Sequence, residues 1–132
     1  TKSGVAHVVG NTEEETIEMI RELVGFMPSN NFEEPPIVPT DDPIDRLEDR
    51  LNTIIPDNVN EAYDVKEVIN AIVDDGKFME VHKKYATNLV IGFARFGGMS
   101  VGIVANQPKS MAGVLDVNAS RKGARFGDKE HE

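Results

Sequence analysis

The stretch from Asn88 to Pro108, NLVIGFARFGGMSVGIVANQP, constrains this chain more than any other part of it. Two apolar, β-rich runs flank Gly97-Gly98. That pattern predicts a two-residue hairpin, because primed turns need positive φ at their central residues. Both arms are apolar nearly throughout, which predicts that neither face of the hairpin is solvated and that it sits inside a larger layered structure. The second arm stops at the polar corner Asn106-Gln107-Pro108, a natural place to line a pocket. A core hairpin with a surface turn satisfies the same spacing.

Charge and composition narrow the function classes. Among 132 residues, 23 are acidic and 14 basic, for a net charge of −9. That balance argues against a binder of nucleic-acid backbone, which needs a basic face to release counterions. Without cysteine there is no disulfide framework, thiolate metal site or thiol nucleophile. No apolar run approaches the roughly 20 residues of a membrane span. Nor does a signal peptide open the chain, so the expectation is a cytoplasmic protein without membrane insertion. The opening Thr1-Lys2-Ser3-Gly4-Val5-Ala6-His7 reads like the interior of a longer protein.

Two helical segments are predicted on either side of a connector. Thr12-Glu13-Glu14-Glu15 is a capping box, in which the Thr12 hydroxyl accepts from the Glu15 amide and Glu15 reaches back. Ile17, Ile20, Val24 and Met27 recur at helical spacing until Pro28, which predicts an amphipathic helix over 13–27. The acidic first turn matches the positive end of the helix dipole rather than a metal site. From Pro28 to Pro56 lie six of the seven prolines with many acidic residues. A structureless loop of about 30 residues is unusual inside one domain, so this stretch predicts an inter-domain connector with one short helical turn near Asp45–Leu51. Proline and like charges should deny it a packed face. Asp41, Asp42 and Asp45 lack the glycine and terminal glutamate of a calcium loop.

Order resumes at Asp64, a cap for a helix with the stripe Val65, Val68, Ile69 and Ile72, ended by Asp74-Asp75-Gly76. Phe78–Val81 is a strand candidate, followed by the basic patch His82-Lys83-Lys84. After the hairpin comes a polar loop over 109–118 and a helix start at Asn118-Ala119-Ser120. Interleaved helices and strands predict an α/β or α+β fold. Catalytic patterns are sparse. His7, His82 and His131 match no zinc spacing. The serines lack a nucleophile-elbow context, and no P-loop or dinucleotide fingerprint is present.

The order of motifs resembles a known family. Ser3-Gly4-Val5-Ala6-His7 precedes an acid-started helix, then Pro28-Ser29-Asn30-Asn31 and Glu34-Pro35-Pro36. Next come Tyr63-Asp64-Val65-Lys66-Glu67-Val68-Ile69, Asp74-Asp75-Gly76-Lys77-Phe78, and the run from Gly92 through Gly98 to Gly102-Ile-Val-Ala-Asn-Gln-Pro108. This succession, unbroken from residue 1 to about 126, is similar to the biotin-dependent acyl-CoA carboxyltransferases. Among them are propionyl-CoA carboxylase beta subunits and the carboxyltransferase subunit of sodium-pumping methylmalonyl-CoA decarboxylase. The tail Gly127–Glu132 departs from the pattern, as in a truncated product.

The resemblance implies an α/β fold of the ClpP/crotonase type, a spiral of β-β-α units. Residues 1–31 would end an N-terminal, acyl-CoA-holding unit, and 32–60 would be the acidic proline-rich linker. Residues 61–132 would start a C-terminal, biotin-holding unit. It further implies a fragment of an enzyme that moves a carboxyl group between carboxybiotin and a short-chain acyl-CoA such as propionyl-CoA or methylmalonyl-CoA. Biotin would be the cofactor, borne by a biotin carboxyl carrier domain or protein, and the parent would be a hexameric homo-oligomer. Phe93 and Asn106 match hairpin positions that face the active site in this family, with Gln107, Pro108 and Lys109 shaping the corner beyond. The family's glycine-rich oxyanion motifs are not found here, so no catalytic residue is assigned and the chain alone is expected to be inactive. A stand-alone binding or oligomerisation module and another crotonase-type acyl-CoA hydrolase or isomerase are the competing readings.

Overall fold

The hairpin forms where the two glycines predict it. Gly97 and Gly98 take φ of 57° and 81°, the two successive left-handed residues of a type I′ turn. They join β2 (Leu89–Phe96) to β3 (Met99–Asn106), paired antiparallel from Leu89↔Asn106 to Phe96↔Met99. A short β1 (Met79–Val81) pairs antiparallel with the other side of β2, so the sheet order is β1-β2-β3. The computed structural model describes residues 1–58 and 60–127. Val59 of the expected linker, and the tail 128–132 with His131, lie outside the described residues.

Each face of the sheet carries its own core. On one face Val90 and Ala94 pack with Ile69 and Val73 from α3 (Val65–Ile72) and the residue after it, flanked by Val101, Ile103 and Ala105. On the other, Val81, Leu89 and Ile91 meet Ala119 and Phe126 of α4 (Val117–Gly127), flanked by Val8, Ala86 and Phe93. The sequence of β2, β3 and α4 is one β-β-α unit. The expectation that neither arm is solvated holds for β2 up to its exposed last residue, Phe96, and fails for β3, where Met99 and Val104 are exposed. The reason is position: β2 is the central strand, whereas β3 is an edge strand whose outer side no described element pairs.

The first helix, α1, spans Glu13–Val24 and is three residues shorter than predicted, capped by Gly25. Thr12 Oγ1 accepts from the Glu15 N–H at 3.1 Å as expected, but Glu15 reaches back to Asn11, accepting from its backbone N–H at 2.7 Å. That bond, and a second from the Asn11 side chain, hold the Glu15 carboxyl below its ordinary pKa. The predicted stripe faces outward: Ile17, Ile20, Val24 and Met27 are 41%, 49%, 61% and 44% exposed. Met19, Leu23 and Phe26 turn inward instead. Phe26 sets this rotation. It stacks on Phe93 at 5.8 Å, while the Arg95 guanidinium lies over the Phe26 ring, 4.3 Å from its centroid, and donates to the Gly25 carbonyl at 2.6 Å.

The proline-rich connector is anchored rather than free of packing. Val38 N–H donates to the Gly98 carbonyl, and Arg46 pairs with Asp42 at 2.6 Å and donates to the Val73 carbonyl at 3.1 Å. Asp42 also accepts from the Asp75 N–H, so its carboxylate is committed to these two partners. The helical turn expected near Asp45–Leu51 sits later, as α2 (Leu51–Ile54).

Candidate functional site

Asp64 is the first fixed point beside the corner that follows β3. It caps α3 as predicted, accepting from Lys66 N–H at 3.0 Å. It also accepts from Gln107 Nε2 at 2.7 Å, and Lys109 Nζ stands 3.7 Å away. Burial works against the Asp64 charge, but the Gln107 amide, the Lys66 N–H and the two lysine charges outweigh it and hold the carboxyl below its usual range. Gln107 Oε1 in turn accepts from Val65 N–H at 3.2 Å. Gln107 is thus buried and binds the helix N-terminus to the strand end from both ends of its amide.

Asn88 is the second fixed point, at the start of the paired arm. Its carbonyl accepts from Gln107 N–H at 2.9 Å, and its side-chain nitrogen donates to the Val114 carbonyl at 2.8 Å and to Asp116 at 3.2 Å. Asp116 caps α4 by accepting from Ala119 N–H at 2.8 Å, so the helix begins before the predicted Asn118 start. The Ala119 bond and then the Asn88 bond lower the Asp116 pKa. Between these supports, Met111, Ala112 and Gly113 run at φ of 50°, 51° and 73°. Two successive non-glycine residues in the left-handed region persist only where surroundings over-determine them. Asn106 Nδ2 supplies part of that, donating to the Gly113 carbonyl at 2.7 Å.

The five predicted residues divide by environment. Asn106 and Lys109 are exposed and Pro108 is half-buried at the corner. Gln107 lies beneath them. Phe93 sits apart, half-buried in the sheet between Phe26 and Phe126, whose ring centroid is 5.1 Å away. A cavity of about 160 Å³ lies elsewhere, between residues 1–9 and Lys83–Tyr85, and none of the five lines it. Among the described residues no cluster of three or more His, Cys, Asp or Glu side chains could hold a metal ion. No described helix is long and apolar enough to cross a membrane.

Sequence reasoning missed Asn88 and Lys122. Lys122 is 1% exposed, and its Nζ donates to the carbonyls of His82, Tyr85, Ala86 and Leu89 at 3.2, 2.8, 3.2 and 2.6 Å. Burial pushes its pKa down from 10.5 to about 8, the Glu80 charge opposing this and Lys66 adding to it. A signal was available: Ala119, Lys122 and Phe126 follow the i, i+3, i+7 spacing of the buried face. The predicted basic patch also divides, with His82 buried, its N–H on the His7 carbonyl at 2.7 Å, and Lys83 and Lys84 exposed.

Helices on both faces of a three-stranded antiparallel sheet make this a mixed α/β segment, and the solved structures that it superposes on have the crotonase-like fold. Residues 1–129 match the carboxyl transferase domain family, and the chain belongs to it. It is 55% identical over 124 residues to methylmalonyl-CoA decarboxylase subunit alpha of Veillonella parvula, and 50% identical over 125 residues to the propionyl-CoA carboxylase carboxyltransferase subunit of Haloferax mediterranei. Each alignment covers 94% of this chain and 24% of the relative, so the chain spans about a quarter of their length. A crystal structure of transcarboxylase 12S, a hexamer with methylmalonyl-CoA and methylmalonic acid bound, superposes with a TM-score of 0.90. It is 44% identical, with 96% of this chain and 24% of that one covered.

Proposed function

We propose that this chain is a segment of a biotin-dependent carboxyltransferase that moves a carboxyl group between carboxybiotin and a short-chain acyl-CoA, propionyl-CoA or methylmalonyl-CoA. The observation that carries this is the match over 1–129 together with relatives named for those two substrates. On this reading residues 1–31 close the acyl-CoA unit, 32–60 link, and 61–132 open the biotin unit. Biotin arrives on a separate carrier domain or protein, and the parent works as a cytoplasmic hexamer, in a carboxylase (a ligase) or a decarboxylase (a lyase). Asn106, Pro108 and Lys109 form the biotin side of the cleft. Gln107 holds that corner in place, and Phe93 supports it from within the sheet.

The chain's own part is positioning. A side-chain amide at the end of a rigid strand can meet a neutral ureido ring with a donor and an acceptor. Asn106→Ala in the full-length protein is expected to weaken use of carboxybiotin by up to about tenfold, from a hydrogen bond worth on the order of 0.5–1.5 kcal/mol. Acyl-CoA affinity should stay unchanged. Steady-state kinetics with each substrate varied in turn checks this, and the reverse pattern would overturn the assignment. The isolated chain should catalyse no transcarboxylation of free biotin. A second reading, a non-catalytic binding or oligomerisation module, is favoured by the outward apolar stripe of α1 and the open edge of β3. Turnover by the full-length protein whose carboxybiotin step weakens on Asn106→Ala would decide against it.

A further inference from the structure

Lys122 sends a charged side chain from α4 into the interior, where its ammonium meets four backbone carbonyls in place of water. An ammonium has three N–H donors, so at least one is shared. The carbonyls belong to a single turn-rich stretch, His82 to Leu89, in which His82 and Ala86 both take left-handed φ, 52° and 44°. Neither residue is a glycine, so the conformation is disfavoured locally and needs an external hold. A buried cation with converging charge-assisted hydrogen bonds provides one.

The two residues between the last two caged carbonyls are Thr87 and Asn88, and they carry the bonds to the corner. Thr87 Oγ1 lies 2.9 Å from Ser110 Oγ, and Asn88 contacts Gln107, Val114 and Asp116. We propose that Lys122 is the positioning residue of the corner after β3. Its ammonium acts as a tethered cation that folds the His82–Leu89 stretch and, through Asn88, sets the course of the chain from Gln107 to Asp116. The charged groups around it are Glu80 on β1, Lys66 on α3 and the exposed Arg121 and Arg125 of its own helix. Among the described residues, none of these charged groups donates to the four carbonyls. The consequence for biotin rests on the function proposed above; the cage itself does not.

The absence of cysteine from this chain permits a direct test. Lys122→Met and Lys122→Cys are made in the 132-residue chain. The cysteine form is alkylated under denaturing conditions with 2-bromoethylamine, which restores an ammonium on a side chain of nearly lysine length, and is refolded beside wild type. Hydrogen exchange is read at Gln107 N–H and Gly113 N–H, bonded to Asn88 and Ser110 carbonyls, and at Val73 N–H, bonded to Ile69, as the reference. Both variants should exchange at least tenfold faster at Gln107 and Gly113 and unchanged at Val73, with aminoethylation restoring protection. Unchanged exchange at the corner, equal loss at Val73, or no rescue by the restored ammonium would each overturn the proposal. In the full-length protein, Lys122→Met should then raise KM for carboxybiotin more than for acyl-CoA. Fast exchange at the corner with unaltered biotin kinetics would leave Lys122 as the positioning residue of the corner and refute the biotin reading instead.

Discussion

Gln107 illustrates how one buried amide can join two elements. Its nitrogen serves the Asp64 carboxylate and its oxygen serves the Val65 N–H, so truncation leaves an acceptor and a donor short of a partner. Gln107→Ala is expected to cost roughly 1–3 kcal/mol, measured by urea unfolding. The pH dependence has a definite sign. Asp64 has a folded pKa below its ordinary 3.8, so its contribution is present above that value and lost as pH falls through the folded one. Removing the Gln107 amide moves the folded value back toward 3.8. The gap between wild type and variant should therefore be full at neutral pH and shrink below pH 3.8.

At the scale of elements, the hairpin turn is a junction of three segments. Asp74 accepts from Gly97 N–H at 3.0 Å and Gly98 N–H at 2.7 Å, and the Gly98 carbonyl accepts from Val38 N–H. A Cβ at Gly98 would collide with the Val38 carbonyl, and its φ of 81° disfavours any other residue. Gly98→Ala is expected to destabilise the chain by roughly 1–3 kcal/mol and to detach the connector. Thermal melting reads the first effect. Faster proteolysis within residues 35–46 reads the second, and an unchanged cleavage pattern would show that the connector is held elsewhere.

For the molecule as a whole, apolar surface outruns the cover available. The α1 stripe of Ile17, Ile20 and Val24 is exposed, as are Met99 and Val104 on the edge strand. Exposed apolar patches of more than a few hundred Å² and unpaired strand edges both favour association. The 132-residue chain should therefore self-associate at micromolar concentration, most simply by two-fold pairing. Sedimentation measures this directly. A monomer with a cooperative thermal transition would instead mark a core complete in itself.

Local rules were enough for the hairpin, the Thr12 and Asp64 caps and the stop at Asp74-Asp75-Gly76, because turn φ and cap hydrogen bonds are settled within a few residues. The family's order of motifs was legible for the same reason, being written in such local signatures. Tertiary structure decided the rest. Periodicity identifies an apolar stripe without saying which neighbour it meets, so Phe26 and Arg95, not the Ile17–Met27 stripe, set the rotation of α1. Alternation likewise could not tell β2 from β3, since centre and edge differ only in what lies beside them. Long-range bonds from Asn88, Gln107 and Lys122 span 19 to 43 positions, a distance over which no sequence spacing constrains the partner.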